Sequence, residues 1–349
     1  MAHLVVVSFR LGGTDGVSIE AAKWQRAFEA LGHVVTTVAG EGVCDVALPG
    51  LAIGASNAPT LREVRDALGD ADLVVVENLA SLPLNVGARD VLYRALARRR
   101  ALFHHHDLAW QREHLAHLGA PLDADTWRHV AINQLSVDEL RERGVEAELV
   151  YNSFDCDPPQ GNRDDTRRAL GIGEERLVVM PTRALARKNV AGALALCREL
   201  GAVLWLLGPS EDGYEPELAA LLEGSAVRVL RGRSVGDVHD AYAASDLVVM
   251  PSTWEGFGNP VLESVTHARA LALNWYPVAR EIAAHGFDFF GLDEIARIDD
   301  FLNNPDDEIL ARNLAVARRD FNLVDLAPRL GRILEGLGLA SRPLMSSSW

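Results

Sequence analysis

Short, uninterrupted apolar runs alternate with longer amphipathic segments along this chain, and that alternation constrains the fold most. Runs at 4–8, 33–38, 73–77, 101–104, 129–133 and 148–151 read as strands. They are solid Val/Leu stretches rather than apolar–polar alternations, so both faces of each strand must be buried. The segments between them read as helices; the one at 18–31 is followed by Gly32, which suits a helix C-terminus. Strand, helix, strand in this order predicts a parallel sheet covered by helices on both sides.

The same grammar restarts after residues 152–165, a stretch of Pro, Gly, Asn and Asp without apolar periodicity that reads as a linker. Strands follow at 177–180, 203–207, 227–230, 247–251 and 271–274, with a helix over about 189–200. The expected class is therefore α/β: two Rossmann-like, doubly wound domains with a cleft between them. The boundaries read as an N-terminal domain over 1–155, a C-terminal domain over 156–317, a helical segment over 318–340 that crosses back to the N-terminal domain, and a low-complexity, disordered tail over 341–349. In doubly wound sheets ligands sit beyond the carboxyl ends of strands, so the residues just after each strand carry the functional signal.

Composition removes several classes. A formal net charge of -15 argues against a nucleic-acid partner. Three scattered cysteines, Cys44, Cys156 and Cys197, form neither a disulfide framework nor a zinc motif and suit a reducing compartment. The N-terminus enters a strand pattern without a basic leader, and no apolar run reaches transmembrane length. A cytoplasmic protein is expected. The basic run Arg98-Arg99-Arg100 fits a solvated helix end, with peripheral contact to a membrane or an anionic acceptor as the alternative.

The densest signal follows the strand at 247–251. There Glu255-Gly256-Phe257-Gly258-Asn259-Pro260-Val261-Leu262-Glu263 reads as a glycine-rich loop entering a helix, with Asn259 as N-cap and Pro260 as the first helical residue. Gly256 and Gly258 allow close approach of backbone to ligand, and the amides of a helix start can hold a phosphate. Glu255 in the loop and Glu263 in the helix are placed to accept hydrogen bonds from hydroxyls, as a sugar and a ribose offer. After the strand at 177–180, Arg183 and Lys188 flank a second loop. A guanidinium fork and an ammonium there can neutralise a diphosphate.

In the first half, Gly12-Gly13-Thr14-Asp15-Gly16 follows the first strand and precedes a helix, a turn suited to phosphate contact. The segment Phe103-His104-His105-His106-Asp107 ends another strand. Successive side chains of a strand point to opposite faces, so only His104 and His106 can act together, and no separate ligand cluster accompanies them; no metal is expected. Glu77-Asn78 ends yet another strand and is a candidate to line the cleft, while His114, His117 and His129 read as surface or helix residues.

Together these residues resemble the retaining glycosyltransferases of family 4, which have the two-domain GT-B fold. The Glu-x7-Glu element Glu255–Glu263 in its Gly-Phe-Gly-x-Pro context carries the resemblance. Arg183-x4-Lys188, the junction Tyr151-Asn152-Ser153-Phe154-Asp155 and the first strand with its Gly-rich loop support it. Asn189 stands where the family usually has glycine after the lysine. The resemblance implies that Glu255 contacts the donor sugar and Glu263 the ribose. It implies that Arg183 and Lys188 stabilise the departing diphosphate and that the backbone of Gly256, Phe257, Gly258 and Asn259 orients sugar and phosphate. It places Gly13 or Gly16 near the donor and His106-Asp107 at the sugar, with His104 as the competing register.

The expected activity is transfer of a hexosyl unit from a UDP-sugar or GDP-mannose type donor to a small-molecule or lipid hydroxyl acceptor. Anomeric configuration is retained, and no metal or cofactor takes part beyond the nucleotide-sugar co-substrate. Arg183, Lys188, Glu255 and His106 form the catalytic set. A sugar-nucleotide epimerase or hydrolase of the same fold, and a non-catalytic nucleotide-sugar binding protein, are the competing readings.

Overall fold

A computed structural model describes residues 1–211, 213–232 and 236–340; the tail expected to be disordered, 341–349, lies outside the described residues. The chain divides into two compact units. One comprises residues 1–153 and the segment from Val324, the other Phe154–Leu323.

The first unit holds β1 (His3–Leu11), β2 (Val34–Gly42), β3 (Val46–Ala47), β4 (Leu73–Glu77), β5 (Ala101–His105), β6 (Trp127–Ala131) and β7 (Ala147–Leu149). They pair in the order β3-β2-β1-β4-β5-β6-β7, all parallel. The central strands read solidly apolar because both faces are covered: Leu4 to Val7, Leu73 to Val76 and Ala101 to Phe103 are all at most 1% exposed. The C-terminal helix Leu326–Gly336 lies against helix Gly16–Ala30 within this unit.

The second unit holds β8 (Leu177–Met180), β9 (Val203–Leu206), β10 (Val229–Arg231), β11 (Leu247–Met250), β12 (Leu271–Leu273) and β13 (Phe290–Gly291), in the parallel order β10-β9-β8-β11-β12-β13. In each sheet the winding direction reverses once, between β1 and β4 in the first and between β8 and β11 in the second. A reversal leaves a crevice beyond the strand ends, because the flanking connections leave in opposite directions. The Gly-rich turn and Glu77 stand at the first reversal. Arg183, Lys188 and Glu255 stand at the second.

Several local expectations shift. The last three residues of the segment expected as a linker, 163–165, open helix Arg163–Leu170, capped by Asn162. The strand expected over 129–133 runs two residues earlier, which buries His129 on β6 rather than leaving it at the surface. Gly258, not Asn259, caps helix Asn259–Thr266, so Pro260 occupies the second helical position.

Candidate active site

The core of the candidate site in the second unit is a buried ion cluster. After β8 a single turn, Ala186–Lys188, ends at Asn189, whose backbone is left-handed (φ 52°). Asn tolerates that conformation, and its side chain then accepts from the Gly192 amide to cap helix Val190–Leu200. Asn189 thus supplies the left-handed turn that a glycine was expected to make, and its Nδ2 also donates to the Pro251 carbonyl at 3.1 Å. The Thr253 amide donates to the Arg187 carbonyl at 2.9 Å. The loops after β8 and β11 are therefore tied together by backbone and side chain.

That tie brings Lys188 onto Glu255. The Lys188 ammonium bonds Glu255 Oε1, while Arg187 Nη1 donates to Oε2 at 2.8 Å and to the Trp254 carbonyl at 3.1 Å. Lys188 and Glu255 are 8% and 6% exposed. Burial alone would raise the Glu255 carboxyl; Lys188 and then Arg187 outweigh it and hold the group below the usual carboxylate range. Burial also pulls the Lys188 ammonium down, with Glu255 opposing. Arg187 carried no expectation; only the fold reveals that it shares the carboxylate.

Arg183 stands on the same loop but pairs elsewhere, with Glu211 Oε2 at 2.5 Å. The loop after β9 is drawn in by backbone bonds, Ala184 to Pro209 and Glu211 to Ala184. A side chain at Gly208 would meet the Arg183 backbone at 2.6 Å, so only glycine lets the two loops close this far.

On the far side of the glycine loop, Gly258 has φ 88°, and a Cβ there would lie 2.4 Å from the Tyr276 hydroxyl. That hydroxyl donates to the Phe257 carbonyl at 3.1 Å, and the Phe257 ring is buried, stacked on Phe154. One turn into the helix, Glu263 Oε2 accepts from the Tyr242 hydroxyl at 2.7 Å. His267 stacks on Tyr242 and bonds the Glu263 carbonyl, which fixes the helix end behind that carboxylate. Of the predicted residues, then, Lys188 and Glu255 touch directly. Arg183 adjoins them, and Gly256 to Asn259 form the loop leading to Glu263.

The first unit supplies a separate group. Gly12 is left-handed (φ 72°), Asp15 caps helix Gly16–Ala30 and accepts from the Ser18 amide, and nothing lies within 4 Å of where a Gly16 side chain would start. At the adjacent strand ends, Glu77 is the register partner of His104. Its Oε2 lies 2.8 Å from His106 Nε2, a hydrogen bond, and 2.9 Å from His104 Nδ1, which lacks hydrogen-bond alignment. Burial would raise the Glu77 carboxyl, but His104 and then His106 outweigh it and hold it at about 2. His104 is wholly buried, stacked on Trp24 at 3.8 Å, and burial lowers its pKa. His104 and His106 do share one face, as strand alternation requires. The expected absence of a third ligating group is corrected: Glu77 completes a set whose donor atoms lie within 4.8 Å of one another and could hold a divalent ion. His105 points the other way, onto His129 at 2.9 Å.

Comparison with known proteins extends the geometry. Residues 162–312 match the family model described as glycosyl transferases group 1. The chain is 26% identical to the mannosylglucosylglycerate synthase of Thermotoga maritima, over 88% of this chain and 89% of the relative. It is 24% identical to the enzyme of that name from Petrotoga mobilis, over 82% and 86%. The solved structure of Anabaena Alr3699/HepE in complex with UDP-glucose is 18% identical and superposes with a TM-score of 0.75, covering 96% of this chain and 100% of that one. The GT-B fold expected from the sequence is borne out. Over residues 162–312 the expected glycosyltransferase character also finds its match. Among the described residues no helix is long and apolar enough to cross a membrane.

Proposed function

We propose, from the premise that residues 162–312 form a glycosyl transferases group 1 domain, that this chain is a retaining, metal-independent hexosyltransferase of the family 4 type. Its donor is a nucleoside-diphosphate hexose of the UDP-sugar or GDP-mannose type. Its acceptor is the hydroxyl of a small, soluble sugar derivative, the class suggested by the relatives named mannosylglucosylglycerate synthase. We place the reaction in the cytoplasm. The observation that carries the reading is the buried Lys188–Glu255–Arg187 cluster, tied to the glycine loop at the point where the sheet reverses.

In this reading Glu255 accepts hydrogen bonds from donor-sugar hydroxyls, and Glu263, steadied by Tyr242, accepts from the ribose. Arg183 and Lys188 offset the charge that grows on the diphosphate as the anomeric C–O bond breaks, a preorganised electrostatic effect. The acceptor hydroxyl attacks on the face the diphosphate leaves, and a phosphate oxygen takes its proton. Gly13 and Gly16 keep the turn after β1 open to the donor, and His106 meets the sugar.

Melting shifts with a panel of nucleoside diphosphates and nucleotide sugars in EDTA identify the donor, since a ligand at 100 times its Kd stabilises by about 2.7 kcal/mol. Turnover of that donor with a soluble sugar-acid glycoside, a lipid acceptor or no acceptor then separates transferase from hydrolase. Equal donor loss without any acceptor would replace the transferase reading.

A further inference from the structure

His106 is held from two directions by side chains that no expectation joined to it. Asn78 takes a left-handed backbone (φ 58°) just after β4, and its Oδ1 accepts the backbone amides of His106 and Asp107, each at 3.0 Å. Ser81 donates to the same oxygen at 3.3 Å. These bonds fix the main chain where β5 ends. The ring is fixed by Glu77, which is fully buried and bonded to Nε2. His104, clamped between the Glu77 carboxylate and the Trp24 ring, supports that carboxylate from beneath.

A carboxylate can only accept, so the Nε2 of His106 must carry the proton. In the neutral ring the lone pair then sits on Nδ1. No partner for Nδ1 exists among the described residues, and it is not among the sealed polar atoms, unlike both ring nitrogens of His104. Among the described histidines that face Glu77, the ring nitrogen left to meet a ligand is therefore an acceptor of fixed direction.

We propose that Glu77 is a positioning residue that locks His106 in the Nε2–H tautomer, so that Nδ1 accepts a hydrogen bond from a sugar hydroxyl. The sugar as ligand rests on the proposed glycosyl transfer; the tautomer lock does not. A buried carboxylate behind an imidazole sets both ring orientation and proton position; behind metal-bound histidines loss of such a partner costs roughly 10–100-fold in activity, and a loss of that order is expected here. Asn78 and Glu77 are adjacent in sequence and act on different parts of His106. Asn78 places its backbone, and Glu77 its ring.

The test is nitrogen-15 NMR of the full chain labelled at histidine, with His106→Gln to assign the signal. The wild type should show protonated Nε2 and unprotonated Nδ1 at His106; the reverse tautomer overturns the proposal without reference to any activity. Glu77→Gln keeps an acceptor oxygen and should keep the tautomer. Glu77→Ala should give a mixture and, with folding checked by circular dichroism, lower kcat roughly 10–100-fold with little change in donor KM. Equal loss in Glu77→Gln and Glu77→Ala with the tautomer unchanged in both would overturn the positioning role. So would one equivalent of a first-row metal ion retained through dialysis, which would make the trio a metal site instead. A wild type that turns over no nucleotide sugar but shows the expected tautomer sinks the proposed function and leaves the lock standing.

Discussion

Replacing Lys188 by methionine removes one charge from a pair that is more than nine-tenths buried and leaves the chain length of the side chain nearly unchanged. Removing one partner of a buried pair costs about 3–5 kcal/mol, most of it the penalty of the charge left behind. Here Glu255 keeps Arg187 on its second oxygen at 2.8 Å, so the lower end, about 3 kcal/mol, applies. For a unit the size of Phe154–Leu323, each kcal/mol moves Tm by roughly 2–4 °C, giving a drop of roughly 6–12 °C. The double variant Lys188→Met/Glu255→Gln leaves neither member of the buried pair charged and should melt above Lys188→Met, with a coupling of about 1–3 kcal/mol. Turnover should fall in Lys188→Met by about 10²–10³-fold, the usual loss when one preorganised charge contact to a transition state is deleted. Far-UV circular dichroism melts and initial rates at saturating donor measure both. A single variant that melts like the wild type, or a double variant that melts below both singles, would refute the buried-pair energetics. Full turnover would refute the catalytic role.

Three further outcomes follow from the geometry. Gly258→Ala should cost about 2–3 kcal/mol from left-handed strain and the clash with Tyr276, and adding Tyr276→Phe should restore part of it; a wild-type melt would contradict the assigned backbone. Glu211→Gln frees Arg183 from a partly exposed partner worth about 0–1 kcal/mol, so Tm should hold while calorimetric donor affinity rises up to about five-fold; weaker binding would show that Glu211 aids the donor instead. Burial, opposed by Asp123, lowers His129 to about 4 in the fold, below its ordinary value of 6.5, so the unfolded chain binds the extra proton first. Stability should therefore fall as pH drops from about 6.5 toward about 4, by up to about 1.4 kcal/mol per pH unit, and His129→Phe should flatten that limb of a urea-melt series; superimposable curves would reject it.

The sheets were legible because doubly buried strands must be solid apolar runs, and β4 and β8 lie where those runs lie. The two-residue strands β3 and β13 were not, since they are too short to leave a pattern. Helix Arg163–Leu170, whose start fell in the expected linker, was missed for a physical reason. Its buried face is Thr166, Arg167 and Leu170, and Arg167 holds the fold through carbonyls of Gly173, Glu175 and Ala244 rather than by apolar contact. At the site, residues adjacent in sequence were visible: the glycine loop, the paired glutamates and the basic pair. What was hidden depends on strand register or loop closure. Glu77 meets His106 only because β4 and β5 pair as they do, and Arg183 meets Glu211 only because Gly208 lets two loops touch. The helix cap was misplaced by one residue because Asn before Pro is the stronger local signal, while the Tyr276 hydroxyl on the Phe257 carbonyl comes from a distant strand end.

Transfer of a hexosyl unit from a nucleotide sugar, with retention and without a metal, is the central claim. Proton NMR of the reaction in EDTA tests it most directly, with the donor selected by the melting panel and a soluble sugar-derivative acceptor. Nucleoside diphosphate should be released in step with a new glycoside whose anomeric configuration matches the donor's. A product of inverted configuration, or a reaction that stops when divalent ions are chelated, would contradict it.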